Sequence, residues 1–474
     1  MRANVAPQRT DEFGMSKLEA AARAAVVAVT AKVPSAPWTF VETIAFGTDA
    51  IERYVLPNGL SLLYLFDDSA PVVTYHSWFN VGSRHEREGK TGLAHLFEHL
   101  MFNETKKLRA GMFDKKLEER GAESNASTWF DWTNYYESLP AADFGVAVAL
   151  EAERMENLVL REPVVTAEKG VVMNERRMRV EDDIEGIANE VLWANAYLKH
   201  PYHWPTIGWM KDIEGFTPAD CEDFYRTFYA PNNATVVVVG DVKRNIVLAK
   251  IASAYGHMPA AKIPAEDVPA EPFQREERVA TLHKPTNGEK LLLGWKGPAL
   301  GDFDHPAFAV LNEILTGGRA ARLHGRLIQT DELATELRGW VSTFRDPGLY
   351  ELWATARPGV DAGALLAAIE NEIGKIQTDV PLDSEVERAK ARLELALVQS
   401  LDTTAGKAEQ IGFYEIVLGD PSGAFRRLER YRRVTASDVR TVARRYLRTE
   451  TRTRIVVLPS DESPESQDAE EAAQ

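Results

Sequence analysis

The chain has 474 residues, 45% of them apolar and 27% charged, with 71 acidic against 55 basic side chains and a formal net charge of −16. That length calls for two or more domains, and the composition excludes collagenous, disordered and membrane-spanning classes. The acidic balance argues against a nucleic-acid partner, which requires a surplus of Lys and Arg on its binding face. The single cysteine, Cys221, excludes a disulfide framework and a cysteine-ligated metal, so any metal must be held by His and carboxylate.

Residues 1–37 read as an N-terminal extension. Asp11, Glu12, Lys17, Glu19 and Arg23 punctuate an Ala-rich stretch that ends in the apolar run Ala24 to Ala31. The small residues Val29-Thr30-Ala31 give residues 15–31, read from Met15, a weak likeness to an export signal. Interleaved acids and an apolar core without leucine fit an amphipathic N-terminal helix better. A soluble protein is expected, with cytoplasmic and periplasmic locations both left open. No membrane partner is expected, because no apolar run approaches the roughly 18 residues a spanning helix needs.

From 38 to 258, strand-like and helix-like stretches alternate. Glu52 to Leu56 and Leu60 to Leu65 flank Pro57-Asn58-Gly59, which predicts a hairpin. Val72 to Trp78 predicts a strand and Gly92 to Phe102 an apolar helix. Residues 259–275 collect Pro259, Pro264, Pro269 and Pro272 and read as a linker. Over 276–460 the pattern restarts: Thr217-Pro218-Ala219-Asp220, a helical stretch and the strand at Thr235 to Val239 are echoed by Thr435-Ala436-Ser437-Asp438, a helical stretch and Thr453 to Val457. In both, a Thr three residues before an Asp suits a helix N-terminus. The expected fold is therefore α+β, with two homologous α/β halves of about 200 residues, each a mostly antiparallel sheet flanked by helices. Residues 461–474 carry six acids and no base and read as a disordered tail.

His95-Leu96-Phe97-Glu98-His99 lies inside the apolar helical stretch. Imidazoles at i and i+4 project from one helical face, about one turn apart, which suits shared ligation of one zinc ion. Zinc acidifies a bound water, and the adjacent Glu98 carboxylate can take that proton and later deliver it to a leaving amine. Two histidines and a glutamate on an otherwise apolar helix would be costly to bury without a common partner, and a metal removes that cost. A catalytic zinc site needs a third protein ligand and an open position. The helical stretch Thr166 to Val180 offers Glu168 and Glu175, two turns apart on one face. Either can ligate, leaving the other to accept from a ligand imidazole N–H.

Gly82-Ser83-Arg84-His85-Glu86 followed by Thr91-Gly92-Leu93-Ala94-His95-Leu96-Phe97-Glu98-His99-Leu100-Met101-Phe102 resembles the signature of the pitrilysin or insulinase-type metallopeptidases, the inverzincins. The size and duplication resemble the branch containing the mitochondrial processing peptidase β subunit. The resemblance runs from about residue 50 to 458. It implies one zinc ion per chain held by His95, His99 and Glu175, with Glu168 in the supporting position and Glu98 as general base and acid. It also implies that Gly121 to Thr128 forms an edge strand whose Asn125 and Ala126 pair with the backbone of an extended peptide substrate.

The second half departs from the family pattern. Ala309-Val310-Leu311-Asn312-Glu313 occupies the place of the zinc helix without either histidine. Where the family supplies an Arg and a Tyr that stabilise the oxyanion, this chain has Gln329 and Thr335, with Arg338 and Tyr350 nearby if the register differs. The resemblance thus implies a zinc endopeptidase completed by a paralogous partner subunit that contributes the Arg and Tyr. A heterodimer is expected in preference to a homodimer. The alternative is a non-catalytic structural subunit of the core-protein kind, against which the intact ligand and base set stands.

Overall fold

The computed structural model describes residues 12–460; the acidic segment 461–474 lies outside the described residues. The chain divides into two compact units. The first comprises the described part of Met1–Val172 with Thr206–Glu266 and Val398–Arg426, and the second Met173–Pro205, Asp267–Leu397 and the described part of Arg427–Gln474. Each unit is thus built mainly from one half of the chain and takes one helical segment from the other.

The first unit holds a seven-stranded sheet. Its strands are β1 (Thr39–Phe46), β2 (Asp49–Val55), β3 (Ser61–Phe66), β4 (Val72–Phe79), β5 (Glu123–Thr128), β6 (Thr133–Pro140) and β7 (Ala234–Gly240), in the order β1-β2-β3-β7-β4-β6-β5. The expected hairpin is β2–β3, antiparallel, with Gly59 at φ +90°, a conformation that glycine adopts without strain. Among the described residues of this sheet, only β3 and β7 pair in parallel. The Ala-rich stretch forms helix Glu12–Thr30, which buries Ala22, Ala25 and Val29 and packs on β1 and on helix Arg244–Tyr255.

The second unit repeats this plan with β8 (Arg278–Lys284), β9 (Lys290–Lys296), β10 (Ala334–Val341), β11 (Leu349–Ala356) and β12 (Arg452–Pro459), ordered β10-β11-β9-β12-β8. Read from β8, this matches β3-β7-β4-β6-β5, and the single parallel pair, β8 with β12, falls in the corresponding place. Both halves reach their last strand through a helix opened by a reciprocal cap: Thr217 with Asp220 on helix Pro218–Phe228, and Thr435 with Asp438 on helix Ala436–Tyr446. The fold is the expected mixed α/β duplication, with two extra strands on the first sheet.

One face of the first sheet is apolar, and the segment that covers it comes from the second half. Helix Thr404–Leu418 presents Ala408 and Ile411 to Leu63, Leu65, Trp78, Val237 and Val239, all buried. Its end near Thr404 is held by Lys407–Asp67 at 2.6 Å, and Glu415 takes a bidentate contact from Arg53 at 2.5 and 2.8 Å. Reciprocally, helix Ile184–Ala196 lies on the second sheet: Trp193 and Asn189 donate to the buried Glu351 at 2.7 and 2.9 Å, and Leu192 fills the space beside Gly294. Hydropathy alone specifies that these faces must be covered, but not by which helix.

Candidate metal centre

Helix Leu93–Leu100 begins at Gly92, whose φ of +97° and close approach to Ile207 exclude a side chain; a Cβ there would stand 2.5 Å from the Ile207 carbonyl oxygen. The Glu86 carboxylate accepts from the N–H groups of Gly92 at 2.8 Å and Ala94 at 2.7 Å, satisfying main-chain donors that a helix start leaves open. Burial pushes the Glu86 carboxyl well above its usual range, against the pull of those two N–H groups. Thr91 adds a second anchor: its hydroxyl donates to Asp212 at 2.7 Å and accepts from the Trp209 N–H at 3.0 Å.

Leu93, Ala94, Leu96, Phe97 and Leu100 form the buried side of this helix. Phe97 packs among Phe224, Tyr225 and Tyr229, and the Tyr135 hydroxyl donates to the Phe97 carbonyl at 3.0 Å. This packing fixes the rotation of the helix and therefore the direction of its histidines. The rings of His95 and His99 lie 5.0 Å apart, centre to centre. Glu98, beside them, lies close enough to Tyr135 and Tyr229 for its charge to bear on both hydroxyls.

Helix Glu162–Arg176 supplies the carboxylates and continues through Arg177–Glu181 in a wider i→i+5 winding. Glu168 Oε1 meets His99 Nδ1 at 3.3 Å, and Glu168 Oε2 accepts from Asn103 at 2.8 Å. The His99 hydrogen bond, outweighing burial, lowers the Glu168 carboxyl from its ordinary value. Two turns on, Glu175 joins the histidines: one ligand atom from each of His95, His99 and Glu175 lies within 4.8 Å of the other two, the one such group found among the described residues. Because Glu168 and Glu175 share one continuous helix, the placement of one carries the other. Glu175 also pairs with Arg179 one turn ahead at 2.9 Å.

These donors suit zinc. Two imidazoles and one carboxylate are an ordinary catalytic ligand set, and tetrahedral donors about 2.1 Å from one ion would stand roughly 3.4 Å apart, inside the 4.8 Å within which these three ligand atoms lie. Three protein ligands leave the further position that catalysis requires. The candidate substrate strand, β5, is the end strand of its sheet. On it Asn125 is exposed and opposite Tyr136, while Ala126 is buried and opposite Tyr135. The Asn125 side chain accepts from the Ala126 N–H at 2.9 Å.

The second-half candidates go elsewhere. Gln329 and Thr335 are exposed, the first reaching the Arg319 carbonyl and the second donating to the Thr355 carbonyl at 3.3 Å. Arg338 pairs with Glu185 at 2.6 Å and lies over the Trp353 ring. Tyr350 is a core residue, packed on Trp295 and Phe308.

The sequence profile of the insulinase family (peptidase family M16) matches residues 63–208, and that of the peptidase M16 inactive domain matches residues 215–393. The chain is 31% identical over 413 residues to the zinc protease PqqE of Helicobacter pylori, covering 86% of this chain and 93% of that protein. The chain belongs to the insulinase family, peptidase family M16. A crystal structure of a protease from Helicobacter pylori superposes on this M16 chain with a TM-score of 0.82 at 30% identity, covering 86% of this chain and 99% of that one. A probable mitochondrial-processing peptidase subunit beta of Arabidopsis thaliana is 24% identical over 404 residues, covering 83% of this chain and 75% of the plant protein. The inactive-domain match covers the half of this M16 chain that has no histidine in the zinc-helix position. Two contributors to the site have no role assigned from the sequence: Glu86, which the signature includes and which stands just ahead of a helix start, and Asn103, which stands one helical turn beyond His99.

Proposed function

We propose that this M16 zinc peptidase is an endopeptidase acting on extended peptides or unfolded segments, with one zinc ion per chain and a paralogous subunit as partner. The observation that carries the reading is the convergence of His95, His99 and Glu175 with Glu98 on the same helix. When bound, zinc supplies Lewis-acid polarisation of the scissile carbonyl and acidifies water. His95, His99 and Glu175 hold the metal, and Glu168 keeps His99 oriented through its Nδ1. Glu98 takes the proton from the attacking water and returns it to the leaving nitrogen. An extended substrate adds to β5 as a further strand at Asn125 and Ala126, and main-chain pairing makes the interaction tolerant of substrate sequence.

The partner enters through what this chain lacks. A peptidase without preorganised donors for the developing oxyanion forgoes about 10²- to 10³-fold in rate per missing donor. Gln329 is no cation, and Thr335 is already bonded to the main chain of its neighbouring strand. A related subunit contributing Arg and Tyr supplies what is missing, in line with the relative that is named as a subunit.

The deciding experiment measures zinc content and peptide hydrolysis for the unmodified chain and for Glu98→Gln. Retained zinc with hydrolysis reduced by about 10³-fold or more is expected. An unmodified chain that takes up no zinc, or a Glu98→Gln variant that cleaves normally, would sink the proposal.

A further inference from the structure

Asn103 lies just beyond the C-terminal end of helix Leu93–Leu100, partly buried, with its main-chain N–H bonded to the Leu100 carbonyl at 2.9 Å. Its side-chain amide nitrogen donates to Glu168 Oε2 at 2.8 Å, while Glu168 Oε1 stands 3.3 Å from His99 Nδ1. The amide's orientation follows from chemistry, since an ionised carboxylate only accepts and must therefore face the NH₂ group. The loop that carries Asn103 is itself pinned: Thr105 donates to Glu153 at 2.9 Å, and the Lys106 N–H donates to the Asn157 carbonyl at 2.9 Å.

The two contacts of Glu168 are unequal, and the inequality assigns their roles. A terminal carboxylate torsion has a broad twofold well, so a Glu168 held only by the longer histidine contact would be free to turn. The shorter bond, from a donor on a fixed loop, sets the carboxylate plane. We propose that Asn103 is a positioning residue that acts through Glu168 to orient His99, keeping Nδ1 as the protonated nitrogen and leaving Nε2 for the metal. This rests on the zinc-peptidase reading and extends the support of the metal by one more side chain, drawn from the turn after the zinc helix itself. The turn that ends the helix thereby helps to aim the histidine in its last turn.

The test is zinc affinity of the full chain, measured by competition with a chromophoric chelator. Asn103→Leu, of the same branched shape but without donors, is expected to bind zinc about 3- to 10-fold more weakly, and Glu168→Leu about 10- to 100-fold more weakly. The double variant is expected to bind no more weakly than Glu168→Leu alone, within about twofold, because Asn103 has no other route to the metal. Asn103→Gln, which keeps a neutral amide donor, is expected to recover most of the affinity that Asn103→Leu loses; a merely structural role would not be rescued this way. Unchanged affinity in Asn103→Leu, or losses that add in full in the double variant, overturns the inference alone. No zinc uptake by the unmodified chain overturns the peptidase reading and this inference with it.

Discussion

In the first half of the chain, helix Leu93–Leu100 brings His95 and His99 together with Glu175 of helix Glu162–Arg176. At the corresponding point of the second unit's plan, helix His305–Thr316 carries Ala309 and Glu313, and Arg392 of helix Asp383–Gln399 donates to Glu313 at 2.7 Å. Asn312, at the position of Glu98, has its side-chain oxygen occupied by the Thr316 hydroxyl at 2.9 Å. A helix pair that in one half of the chain offers three candidate ligands to a cation is joined in the other half by a cation already in the protein, the Arg392 guanidinium. The same scaffold accommodates both because the buried faces, and not the polar tips, hold each pair in place. The fold of the second half therefore does not depend on a bound metal.

That comparison breaks most visibly at the third ligand. Glu175→Gln is expected to weaken zinc binding and to lower hydrolysis by at least about 10²-fold, because a neutral amide is a poor substitute for the ligand carboxylate. Glu313→Gln, the corresponding lesion in the second unit, is expected to change neither zinc content nor rate, and to cost less than about 1 kcal/mol in thermal stability, since Arg392 is half exposed. Isothermal titration with zinc and a melting curve for each variant check this, and a loss of zinc on changing Glu313 would contradict the division of labour.

The unequal halves also predict unequal self-sufficiency. Adding a paralogous subunit that carries the Arg and Tyr is expected to raise kcat/KM for a peptide by about 10²-fold over the isolated chain. Equal rates for the chain alone and for the reconstituted mixture would show that its own second half suffices.

The helix starts differ as well. Gly92 has φ +97° and a neighbouring carbonyl in the way, whereas Asp304, at the start of helix His305–Thr316, has an ordinary φ of −76°. Gly92→Ala is expected to destabilise the first unit by about 2 to 4 kcal/mol through backbone strain and collision with Ile207, and to weaken zinc binding by disturbing the helix start. Thermal unfolding monitored with and without zinc measures both effects. A neutral result would mean that the Glu86 clasp tolerates a different path into the helix.

What could be read in advance follows from how local each feature is. The His95–His99 pair, the β2–β3 hairpin and the two Thr–Asp caps rest on contacts within a few residues, so spacing alone exposes them. The duplication was visible because the capped helix and the strand after it recur in the same order. The exchange of helices Ile184–Ala196 and Thr404–Leu418 was not, because an apolar helix face records that it must be covered without recording by what. Tyr350 illustrates the same limit: an aromatic on a strand gives no sign, from its neighbours in sequence, whether it faces a core or a substrate. The roles of Glu86 and Asn103 were not legible because each is an ordinary polar residue until its partner is placed beside it.

The two exchanged helices are fastened by opposite electrostatics, which gives the smallest of these effects a sign. Burial alone would raise the Asp67 carboxyl, but hydrogen bonds from Lys407 and Ser69 outweigh it and hold it down at about 2. The folded value lies below the ordinary 3.8, so this anchor of helix Thr404–Leu418 contributes fully above pH 3.8 and is lost as pH falls through about 2. Glu351, which fastens helix Ile184–Ala196, is displaced the other way: burial raises its carboxyl against the donors Trp353, Trp193 and Asn189. Its protonation is favoured in the fold, so acid does not weaken the fold through this group. Asp67→Asn is accordingly expected to lower thermal stability by about 1 kcal/mol at neutral pH, less than the bare shift implies because Lys407 is partly open to solvent. The deficit relative to the unmodified chain should hold from pH 7 down to about pH 4 and shrink below it. Melting curves across that range decide the matter, since a deficit that persisted unchanged at pH 3 would mean that Asp67 acts through packing and not through its charge.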